Sequence, residues 1–383
     1  MTLALAVVMG GYVAFVGALA WRASRVSEAA PSVPEADLPT VAVIVAARDE
    51  EDVIERCLDA LVEQSYPPER LEILVADDHS ADRTAVLVRA YADRRALVLA
   101  GDEEEDEGPS RPRVRCIRVP DPSGDLRGKA NALHAAIEAT EADVLLVTDA
   151  DCAPAPTWVR ATAAHFADPE VGIVCGLARI EADARLLDRV QALDWTFLLG
   201  AVSTLAEAGT PATGMGNNMG IRREAYEAVG GYPALPFSVT EDFTLVRAIA
   251  ERTPWSVRFP ISPASVVWTL PASSVIATYD QRRRWARGGL TGDPWVLPVY
   301  AVLFAAHALP LVGLLVSPLA AATWLVAKIG VDGLFLRAIL RRVGGALRWS
   351  DLPAFEAFLF GYLTTLPAVL LLRPSVSWKG RRH

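Results

Sequence analysis

The stretch Val144-Leu145-Leu146-Val147-Thr148-Asp149-Ala150-Asp151-Cys152 decides the fold of this chain. Its leading apolar residues predict a strand that is buried on both faces, which is typical of a parallel α/β sheet. Ligands of such sheets bind at the carboxyl ends of the strands, where Asp149 and Asp151 fall. Two carboxylates at that place suit a hard divalent cation that keeps open positions for phosphate oxygens. A polar exit from a strand into an ordinary loop is the alternative, and this stretch by itself leaves it open.

Composition limits the class of protein to which the chain can belong. Apolar residues make up 52% of the 383 residues, and they concentrate at the two ends of the chain. A formal net charge of -9 argues against a nucleic-acid binder, which would show a basic stripe. The cysteines lack metal-ligand or framework spacing, so we expect reduced, mostly buried thiols with neither a disulfide nor a zinc site. They are Cys57, Cys116, Cys152 and Cys175.

The amino-terminal segment predicts a membrane anchor. Residues 2–21 form an unbroken apolar run, and a helix needs about 20 such residues to cross a bilayer. Arg22 and Arg25 follow the run rather than precede it, which favours an anchor over residues 1–22 against a signal peptide. The positive-inside rule then places the amino terminus outside and the next domain in the cytoplasm. Residues 23–39 are expected to be a linker.

Strands and helices alternate through residues 40–292. This alternation predicts a right-handed, doubly wound, mainly parallel α/β sheet. Strands are expected at 41–47, 71–76, 114–119, 144–147 and 171–177, and helices at 84–93 and 186–206 and around Ile54, Leu58, Leu61 and Val62.

Four further polar segments lie within this region, and their sequences predict different roles. The acidic run 101–108 predicts a solvated loop without catalytic function. The basic, glycine-containing turn 127–133 at a helix start could hold phosphate oxygens. The glycine- and asparagine-rich stretch 213–220 predicts unusual backbone conformations or close approach to a ligand. Residues 238–243 are consistent with a capped, negatively charged helix start, which is the purely structural interpretation.

The carboxyl-terminal part turns apolar again. Residues 296–316, 319–336 and 354–372 are candidate spans within a membrane region over 293–373, and a basic tail occupies 374–383. Counting three crossings from a cytoplasmic domain puts that tail outside, against the positive-inside rule. We therefore expect two or three spans, one segment being re-entrant or interfacial. The basic helix 280–290 before them could rest on anionic lipid.

The motif set resembles the membrane-bound family 2 glycosyltransferases with a GT-A catalytic domain. The resemblance covers roughly residues 39–290 and consists of three aspartate sites followed by a Q-x-x-R-W motif. These sites are Asp77/Asp78, Asp149-Ala150-Asp151, Thr240-Glu241-Asp242, and Gln281 with Arg284 and Trp285. The departures are small: Ala46 and Asp49 replace a proline and an asparagine, and His79 stands in a glycine place, which histidine tolerates because it adopts left-handed conformations.

The resemblance implies a role for each of these residues. Asp151 would contact a Mn²⁺ or Mg²⁺ ion, and Asp149 would face the ribose or that metal. The nucleotide base and ribose would lie against Ala47, Glu50, Asp77 and Asp78, and Lys129 would reach the donor. Asp242, beside Glu241, would be the catalytic base. Gln281 belongs to the catalytic motif, in which Arg284 would pair with the diphosphate and Trp285 would offer a flat surface to the acceptor.

These expectations lead to a functional hypothesis with alternatives. The chain would be a metal-dependent, inverting hexosyltransferase of the plasma (inner) membrane. It would move a sugar from a nucleotide-sugar donor, with a UDP-sugar expected, to a membrane lipid at the cytoplasmic face. The family includes ceramide glucosyltransferase-like and other glycolipid transferases. A processive synthase of the cellulose, chitin or hyaluronan type is the alternative, with a glycan acceptor, although three uncertain segments are few for a translocation channel. A catalytically inactive membrane scaffold is disfavoured because Asp151, Asp242 and Trp285 occur together.

Overall fold

The computed structural model describes residues 2–25, 31–101, 111–182, 185–207, 214, 216–292, 296–372, 377–378 and 381–382. Most of the acidic run 101–108 lies outside these residues, as do part of the predicted linker, Thr213 and Met215 of the glycine-rich stretch, and Arg373 and Lys379 near the basic tail. The chain divides into two compact units. The sheet unit comprises Glu28–Arg179 and Ala206–Leu270, and the helical unit comprises Met1–Ser27, Ile180–Leu205 and Pro271–His383.

The sheet unit is built from strands that alternate with helices. The strands are β1 (Val41–Ala47), β2 (Leu71–Asp77), β3 (Arg113–Arg118), β4 (Val144–Asp149), β5 (Cys152–Pro154), β6 (Val171–Cys175), β7 (Ala178–Ile180, ending at the unit boundary), β8 (Met219–Arg222), β9 (Ser256–Arg258) and β10 (Val267–Thr269). The helices of this unit, counted along the whole chain, are α2 (Ile54–Val62), α3 (Thr84–Gly101), α4 (Lys129–Ile137), α5 (Trp158–Ala163), α7 (Arg223–Ala228) and α8 (Glu241–Arg252).

The main sheet has seven strands in the order β3-β2-β1-β4-β8-β6-β9. Neighbours pair in parallel from β3 to β4 and again between β6 and β9, whereas β8 pairs antiparallel with both β4 and β6. Every strand except β8 therefore runs in the same direction. This arrangement confirms the mainly parallel α/β sheet, and a smaller sheet has the order β5-β10-β7.

Uninterrupted apolar strands place the core on both faces of the main sheet. Residues 41–45 and 144–147 are buried, as a parallel sheet covered by helices requires. Helix α2 packs one face through Ile54, Leu58, Leu61 and Val62, the residues whose spacing predicted it. Three of the four cysteines, Cys57, Cys152 and Cys175, are buried, as expected.

The helical unit contains the apolar ends of the chain. Its helices are α1 (Thr2–Arg25), α6 (Leu186–Ala206, whose last residue lies across the boundary), α9 (Val275–Gly292), α10 (Val296–Val316), α11 (Pro318–Arg342) and α12 (Leu352–Leu372), and a short hairpin pairs β11 (Ser377–Trp378) with β12 (Arg381–Arg382). Three described segments are long and apolar enough to cross a membrane: Leu3–Arg25, Pro318–Arg342 and Trp349–Leu372. A shorter apolar helical segment covers Tyr300–Val316.

Small residues allow the helices of this unit to approach closely. A Cβ atom added at Gly200 on α6 would lie 2.7 Å from a side-chain carbon of Ile339 on α11. Phe197 on α6 packs against Phe335 of α11 and Phe355 of α12, with ring centroids 5.3 and 5.9 Å apart. Helix α6 is therefore a packing element of the helical unit.

Candidate active site

The carboxyl edge of the main sheet gathers the first group of predicted residues. The parallel register sets Ala47 beside Asp77 and Ala46 beside Asp149. The ends of β1, β2 and β4 therefore present their polar residues at one edge, which is where open α/β sheets bind ligands.

Asp77 and Asp78 are buried where β2 ends, with 8% and 3% of their surfaces exposed. The Asp78 amide donates to the carbonyl of Ala47 (2.9 Å), and Asp78 Oδ2 lies 3.5 Å from Arg48 Nη1. Among the described residues, Asp77 Oδ1 has no hydrogen-bond partner. A buried carboxylate oxygen without a partner is costly, and it suits a ligand that brings its own donor.

Two left-handed residues shape the turns beside this edge. Asp49 has φ = 52° and His79 has φ = 56°. The Asp49 side chain accepts a hydrogen bond from the amide of Ala81 (2.7 Å), and its own amide donates to Ser80 Oγ (3.1 Å). The turn with histidine in a glycine place therefore forms, as the sequence predicted. The same conformation at Asp49 was not foreseen. Glu50 follows it, with its amide donating to Thr84 Oγ1 (2.8 Å).

Lys129 lies at the centre of the site. It opens α4 directly after Gly128, whose φ of 61° forms the glycine turn expected there. Its Nζ donates to Asp149 Oδ1 (2.6 Å) and to the carbonyl of Gly216 (3.3 Å), and it lies 3.4 Å from Glu241 Oε1. Burial alone would lower the pKa of Lys129, but the charges of Asp149 and Glu241 outweigh burial and raise it. Lys129 is therefore a fixed cation between two motifs.

The reversed strand β8 explains how a distant loop reaches this edge. Because β8 runs antiparallel to β4 and pairs Met219 with Val147, its amino end lies at the carboxyl end of β4. The loop before it is tied there by a hydrogen bond from Thr148 Oγ1 to the carbonyl of Asn217 (2.9 Å). The amide of Gly216 then donates to Asp242 Oδ2 (2.7 Å).

Asp242 lies so close to two glycines of this loop that a larger residue would not fit at either position. A Cβ atom at Gly214 would lie 2.6 Å from the Asp242 carbonyl carbon, and one at Gly216 would lie 3.0 Å from Asp242 Oδ2. Neither glycine has a positive φ. Of the two features that the sequence predicted for these glycines, the structure therefore shows the close approach, and its target is Asp242 of the same chain. It does not show the unusual backbone conformation at either glycine.

Glu241 and Asp242 open α8, but they do not cap it in the usual way. Thr240, at the N-cap position, makes no side-chain capping hydrogen bond. Asp242 accepts from the amides of Gly216 and Phe243 instead (2.7 and 2.8 Å). Burial raises the pKa of Glu241 from 4.5 to about 7, with Lys129 opposing the rise and Asp242 adding to it. A carboxyl that titrates near neutral pH suits general acid–base chemistry.

The residues at the end of β4 fit a divalent cation. Burial and the neighbouring charge of Asp149 raise the pKa of Asp151, so a cation beside this pair would stabilise its ionised form. No cluster of three or more His, Cys, Asp or Glu ligands occurs among the described residues. Two carboxylates without a protein cage are the arrangement by which a hard cation is shared with substrate phosphates and water.

The Q-x-x-R-W motif lies on α9 in the helical unit. Gln281 Oε1 accepts from Arg282 Nη1 (3.0 Å). The Trp285 ring packs edge-on against Trp195 of α6, with centroids 4.8 Å apart, and the Arg282 guanidinium lies 4.4 Å from its centroid. Arg284 lies one residue before Trp285 on the same helix. Within their unit, Gln281 and Trp285 therefore share one neighbour, Arg282.

The prediction that α9 rests on anionic lipid through its basic residues is wrong for Arg282 and Arg283. Arg282 and Arg283 are only 4% and 8% exposed. Arg282 Nε donates to Asp194 Oδ2 (2.6 Å), and Asp194 is itself 1% exposed. Arg283 pairs with Asp280 (3.2 Å). A buried guanidinium needs a carboxylate partner, so Arg282 serves the packing of α9 against α6 instead of a lipid surface.

Comparison with protein families assigns the chain. The model of glycosyl transferase family group 2 matches residues 144–372, and that of glycosyl transferase family 2 matches residues 42–230. The chain is a family 2 glycosyltransferase. The first match runs from β4 through α12, so it includes Asp149-Ala150-Asp151, Thr240-Glu241-Asp242 and α9. The second match includes Asp77 and Asp78.

Several known proteins resemble this glycosyltransferase. It is 29% identical over 290 residues to beta-monoglucosyldiacylglycerol synthase of Synechocystis sp., covering 72% of this chain and 55% of that protein. It is 26% identical over 265 residues to poly-beta-1,6-N-acetyl-D-glucosamine synthase of Staphylococcus aureus, covering 68% and 57%. The chain thus spans about half the length of these curated relatives.

A solved structure confirms the GT-A fold of the glycosyltransferase. The mannosyltransferase PcManGT from Pyrobaculum calidifontis, solved in complex with GDP-Man and Mn²⁺, superposes with a TM-score of 0.53 at 22% identity. The match covers 97% of this chain and 96% of that one. It therefore extends over the apolar ends as well as the sheet unit.

Sequence reasoning missed two features of the sheet unit. The Gly216–Asp242 hydrogen bond depends on strand order, which periodicity does not reveal. The Tyr232 side chain is 3% exposed, and its hydroxyl has no hydrogen-bond partner among the described residues. The dipeptide Gly230-Gly231 before it, with φ values of 76° and 60°, was the only local signal.

Proposed function

We propose that this glycosyltransferase moves a sugar, with inversion, from a nucleotide-sugar donor to a membrane lipid and so forms a glycolipid. The observation that supports this most is the grouping of Lys129 with Asp149, Glu241 and, through Gly216, Asp242 at one edge of the sheet. A fixed cation at this edge would stabilise the negative charge that develops on the departing diphosphate. The three apolar helical segments and the glycolipid synthase relative support a membrane acceptor.

The donor would bind along the carboxyl edge of β1, β2 and β4. Asp77 offers an unpartnered, buried oxygen to a base or ribose donor group, beside Ala47, Glu50 and Asp78. Lys129 would attract the diphosphate by charge. We propose a UDP-sugar, while the fold neighbour carries GDP-Man, so the base is a matter for experiment.

Asp151 and Asp149 would hold a Mn²⁺ or Mg²⁺ ion. When bound, such an ion neutralises charge on the departing diphosphate. The Mn²⁺ in the fold neighbour supports this assignment. A binding measurement tests it: nucleotide affinity should rise with Mn²⁺ in the wild type and not in Asp151→Ala.

Asp242 would accept the proton of the attacking acceptor hydroxyl. Its carboxylate is oriented by the amides of Gly216 and Phe243 and retains lone pairs for a further donor. Glu241 adjoins it with a raised pKa and would tune the proton balance of the pair. The motif is the basis for the roles that we propose for Gln281, for Arg284 toward the diphosphate and for Trp285 toward the acceptor. Substitution of each residue tests its role.

Processive polysaccharide synthesis is the second candidate. The similarity to poly-beta-1,6-N-acetyl-D-glucosamine synthase favours it, because that similarity covers about as much of the chain as the glycolipid relative does. The acceptor would then be the growing glycan.

One experiment separates the two functions. Purified protein in lipid vesicles is incubated with radiolabelled UDP-glucose, UDP-N-acetylglucosamine or GDP-mannose, and the products are partitioned between organic and aqueous phases. A product of one or a few sugars in the organic phase is expected. A long polymer would establish the second candidate, and no transfer from any donor would contradict both.

Orientation follows from the donor, because nucleotide sugars are cytoplasmic. We propose that the sheet unit lies on the cytoplasmic side of the inner membrane, as Arg22 and Arg25 after the first apolar helix suggest. A cysteine introduced at the exposed Glu138 should react with an impermeant maleimide only in inverted vesicles. Labelling from outside intact cells would contradict this orientation.

A further inference from the structure

Asn218, the last residue before β8, has a buried side chain that joins several segments of the sheet unit. The residue is 0% exposed. Its Oδ1 accepts a hydrogen bond from Trp158 Nε1 of α5 (2.8 Å), and its Nδ2 donates to the carbonyls of Leu177 (3.1 Å) and Ser265 (2.8 Å). Leu177 precedes β7, and Ser265 precedes β10. One amide group therefore ties the start of β8 to a helix and to the chain just before two other strands.

The side-chain amide of Asn218 is held in a single orientation. An indole N–H can only donate and a carbonyl oxygen can only accept, so the amide oxygen must face Trp158 and the nitrogen must face the two carbonyls. Both hydrogens of the amide nitrogen are then used. A Cβ atom at Gly176 would lie 2.5 Å from Asn218 Nδ2, so the packing around the amide is tight. A buried polar network that is fully satisfied makes the residues that it joins rigid.

The backbone beside this side chain is held as well. The carbonyl of Asn218 accepts a hydrogen bond from the Gly176 amide (2.9 Å). The carbonyl of Asn217 accepts from Thr148 Oγ1 (2.9 Å), and Thr148 is also 0% exposed. Two buried side chains, those of Asn218 and Thr148, thus anchor the short stretch of chain that adjoins Gly216.

Gly216 connects this anchored stretch to the candidate site. Its amide donates to Asp242 Oδ2 (2.7 Å), and its carbonyl accepts from Lys129 Nζ (3.3 Å). Lys129 also has a shorter bond to Asp149 (2.6 Å), which supports it independently of Gly216. A shift of Gly216 should therefore disturb the Asp242 carboxylate more than it disturbs Lys129.

We propose that Asn218 is a positioning residue: with Thr148 as a second anchor, it holds the Gly216 amide where that amide orients the Asp242 carboxylate. Asn218 acts through the backbone rather than by touching the substrate. The inference rests on the proposed glycosyl transfer, in which Asp242 accepts the proton of the acceptor hydroxyl. A misplacement of about 1 Å can cost roughly 10²-fold in rate, so an anchor outside the site can control turnover.

Gln64 provides a matched control for Asn218. It is 7% exposed, and its side-chain amide forms the same set of hydrogen bonds. Its Nε2 donates to the carbonyls of Ala60 (3.0 Å) and Ala155 (2.9 Å), and its Oε1 accepts from the amide of Val159 (3.0 Å). None of these partners lies in the stretch before β8 or in the candidate site. The two buried amides therefore differ in what they anchor.

Asn218→Asp and Gln64→Glu make the same change, because each replaces an NH₂ group that faces two carbonyls by an oxygen. Both variants are made in the full chain in detergent or lipid vesicles, and both should lower the melting temperature. Only Asn218→Asp should lower kcat, by roughly ten- to a hundredfold, with the KM of the nucleotide sugar little changed. An equal kcat in the two variants would show that Asn218 only stabilises the fold, and would overturn the inference.

A double-mutant cycle tests whether Asn218 acts through Asp242. If it does, adding Asn218→Asp to Asp242→Asn should lower kcat no further, because the base is already lost. A further loss by the full factor of Asn218→Asp alone would contradict the proposal. Thr148→Val keeps the shape of the side chain and removes the second anchor, so it should lower kcat in the same way. Where Asn218→Asp does not fold, this variant decides, and an unchanged kcat refutes the anchor.

Amide exchange separates this inference from the proposed function. Hydrogen–deuterium exchange at Gly216, measured by mass spectrometry on the folded protein, needs no sugar transfer. Exchange should be faster than in the wild type in Asn218→Asp and in Asp242→Asn, and unchanged in Gln64→Glu. A wild-type exchange rate in Asn218→Asp overturns the anchor even in an active enzyme. Faster exchange in Asn218→Asp, when the wild type transfers no sugar, supports the anchor while the proposed function alone fails.

Discussion

Two lysines of this chain each lie between two carboxylates, one in each unit. In the sheet unit, Lys129 Nζ is 2.6 Å from Asp149 and 3.4 Å from Glu241, and the side chains of the three residues are 15%, 37% and 12% exposed. In the helical unit, Lys328 Nζ is 2.7 Å from Asp332 and 2.6 Å from Glu356, and the exposed fractions are 0%, 0% and 4%. Both clusters pair one lysine with two carboxylates, but the Lys129 cluster is partly exposed to solvent whereas the Lys328 cluster is buried.

The difference in solvent exposure suggests different roles for the two clusters: a candidate binding site around Lys129 and a structural contact around Lys328. The Lys129 cluster is partly open, and the distance from Lys129 to Glu241 is long, so in our proposal the donor diphosphate replaces one of the carboxylate partners. The Lys328 cluster is closed and joins three helices, because Asp332 also accepts a hydrogen bond from Tyr12 of α1 (3.0 Å). Charged groups inside apolar helices are costly unless they are paired with one another. We therefore expect substitutions in the first cluster to alter activity and those in the second to alter folding.

The largest expected effect is on stability, from Lys328→Met. The substitution leaves two carboxylates buried without their cation, and removing one partner of a buried ionic pair costs about 3–5 kcal/mol. The yield of folded protein in detergent and its melting temperature should both fall sharply, as measured by size-exclusion chromatography and thermal unfolding.

A matched variant distinguishes loss of charge balance from loss of packing. Replacing the cluster, as Lys328→Met, Asp332→Leu, Glu356→Leu and Tyr12→Phe together, removes the three charges and the hydroxyl that pair with one another. Apolar replacement of a complete buried ionic cluster is often neutral or stabilising. Normal stability of Lys328→Met alone would contradict the structural role.

The next effect is on catalysis, from Asp242→Asn. If Asp242 is the base, transfer should fall roughly 10²- to 10⁴-fold while donor affinity barely changes. Asparagine has one acceptor oxygen, whereas Asp242 uses both of its oxygens toward Gly216 and Phe243, so the loop before β8 should also loosen.

Gly216→Ala provides the control for that loosening. Its added Cβ atom would crowd the Asp242 carboxylate at 3.0 Å without removing it. If Gly216→Ala lowers turnover as much as Asp242→Asn, the effect lies in loop geometry. Near-normal turnover of Asp242→Asn would remove Asp242 from the mechanism.

Lys129→Met should have a smaller effect on catalysis. Removal of one preorganised electrostatic group costs about 10²-fold in rate, and Lys129→Arg should restore part of it by returning the charge. Because the cluster is partly exposed, the melting temperature should change much less than for Lys328→Met. A loss of folded protein equal to that of Lys328→Met would erase the distinction between the two clusters.

The smallest expected effect is a dependence of stability on pH. Because burial raises the pKa of Glu241 from 4.5 to about 7, the folded state holds this proton more tightly than the unfolded state between these pH values. The contribution to the free energy of unfolding is therefore complete below pH 4.5 and is lost as pH rises to about 7. One proton gives a slope of at most about 1.4 kcal/mol per pH unit.

Glu241→Gln should flatten this slope in thermal unfolding measured from pH 4.5 to 7.5. Glu251→Gln on the same helix is the control, since Glu251 is exposed and pairs with Arg247 (2.7 Å). An unchanged slope in Glu241→Gln would show that other groups set the dependence.

Local pattern alone predicted much of the sheet unit. The apolar runs at β1, β2 and β4 and the spacing of Ile54 and Leu58 on α2 identified their elements, because burial on a repeating face leaves a periodic trace in the sequence. The carboxyl-edge rule predicted where Asp149 lies, and the resemblance to the family placed Asp77 at the ligand site; the strand register brings both to one edge of the sheet. The left-handed turn at His79 formed as predicted.

Only the tertiary structure decided which distant groups meet. The reversal of β8 brings Gly216 to Asp242, the packing of α6 against α9 buries Arg282, and the pairing of α11 with α12 adds Glu356 to Lys328. These contacts join residues 26 to 88 positions apart. The sequence by itself determined the elements, the family and the residue types of the site, since these depend on short-range periodicity and local motifs. Strand order and helix packing determined their partners, because burial energy depends on area and not on which neighbour supplies it.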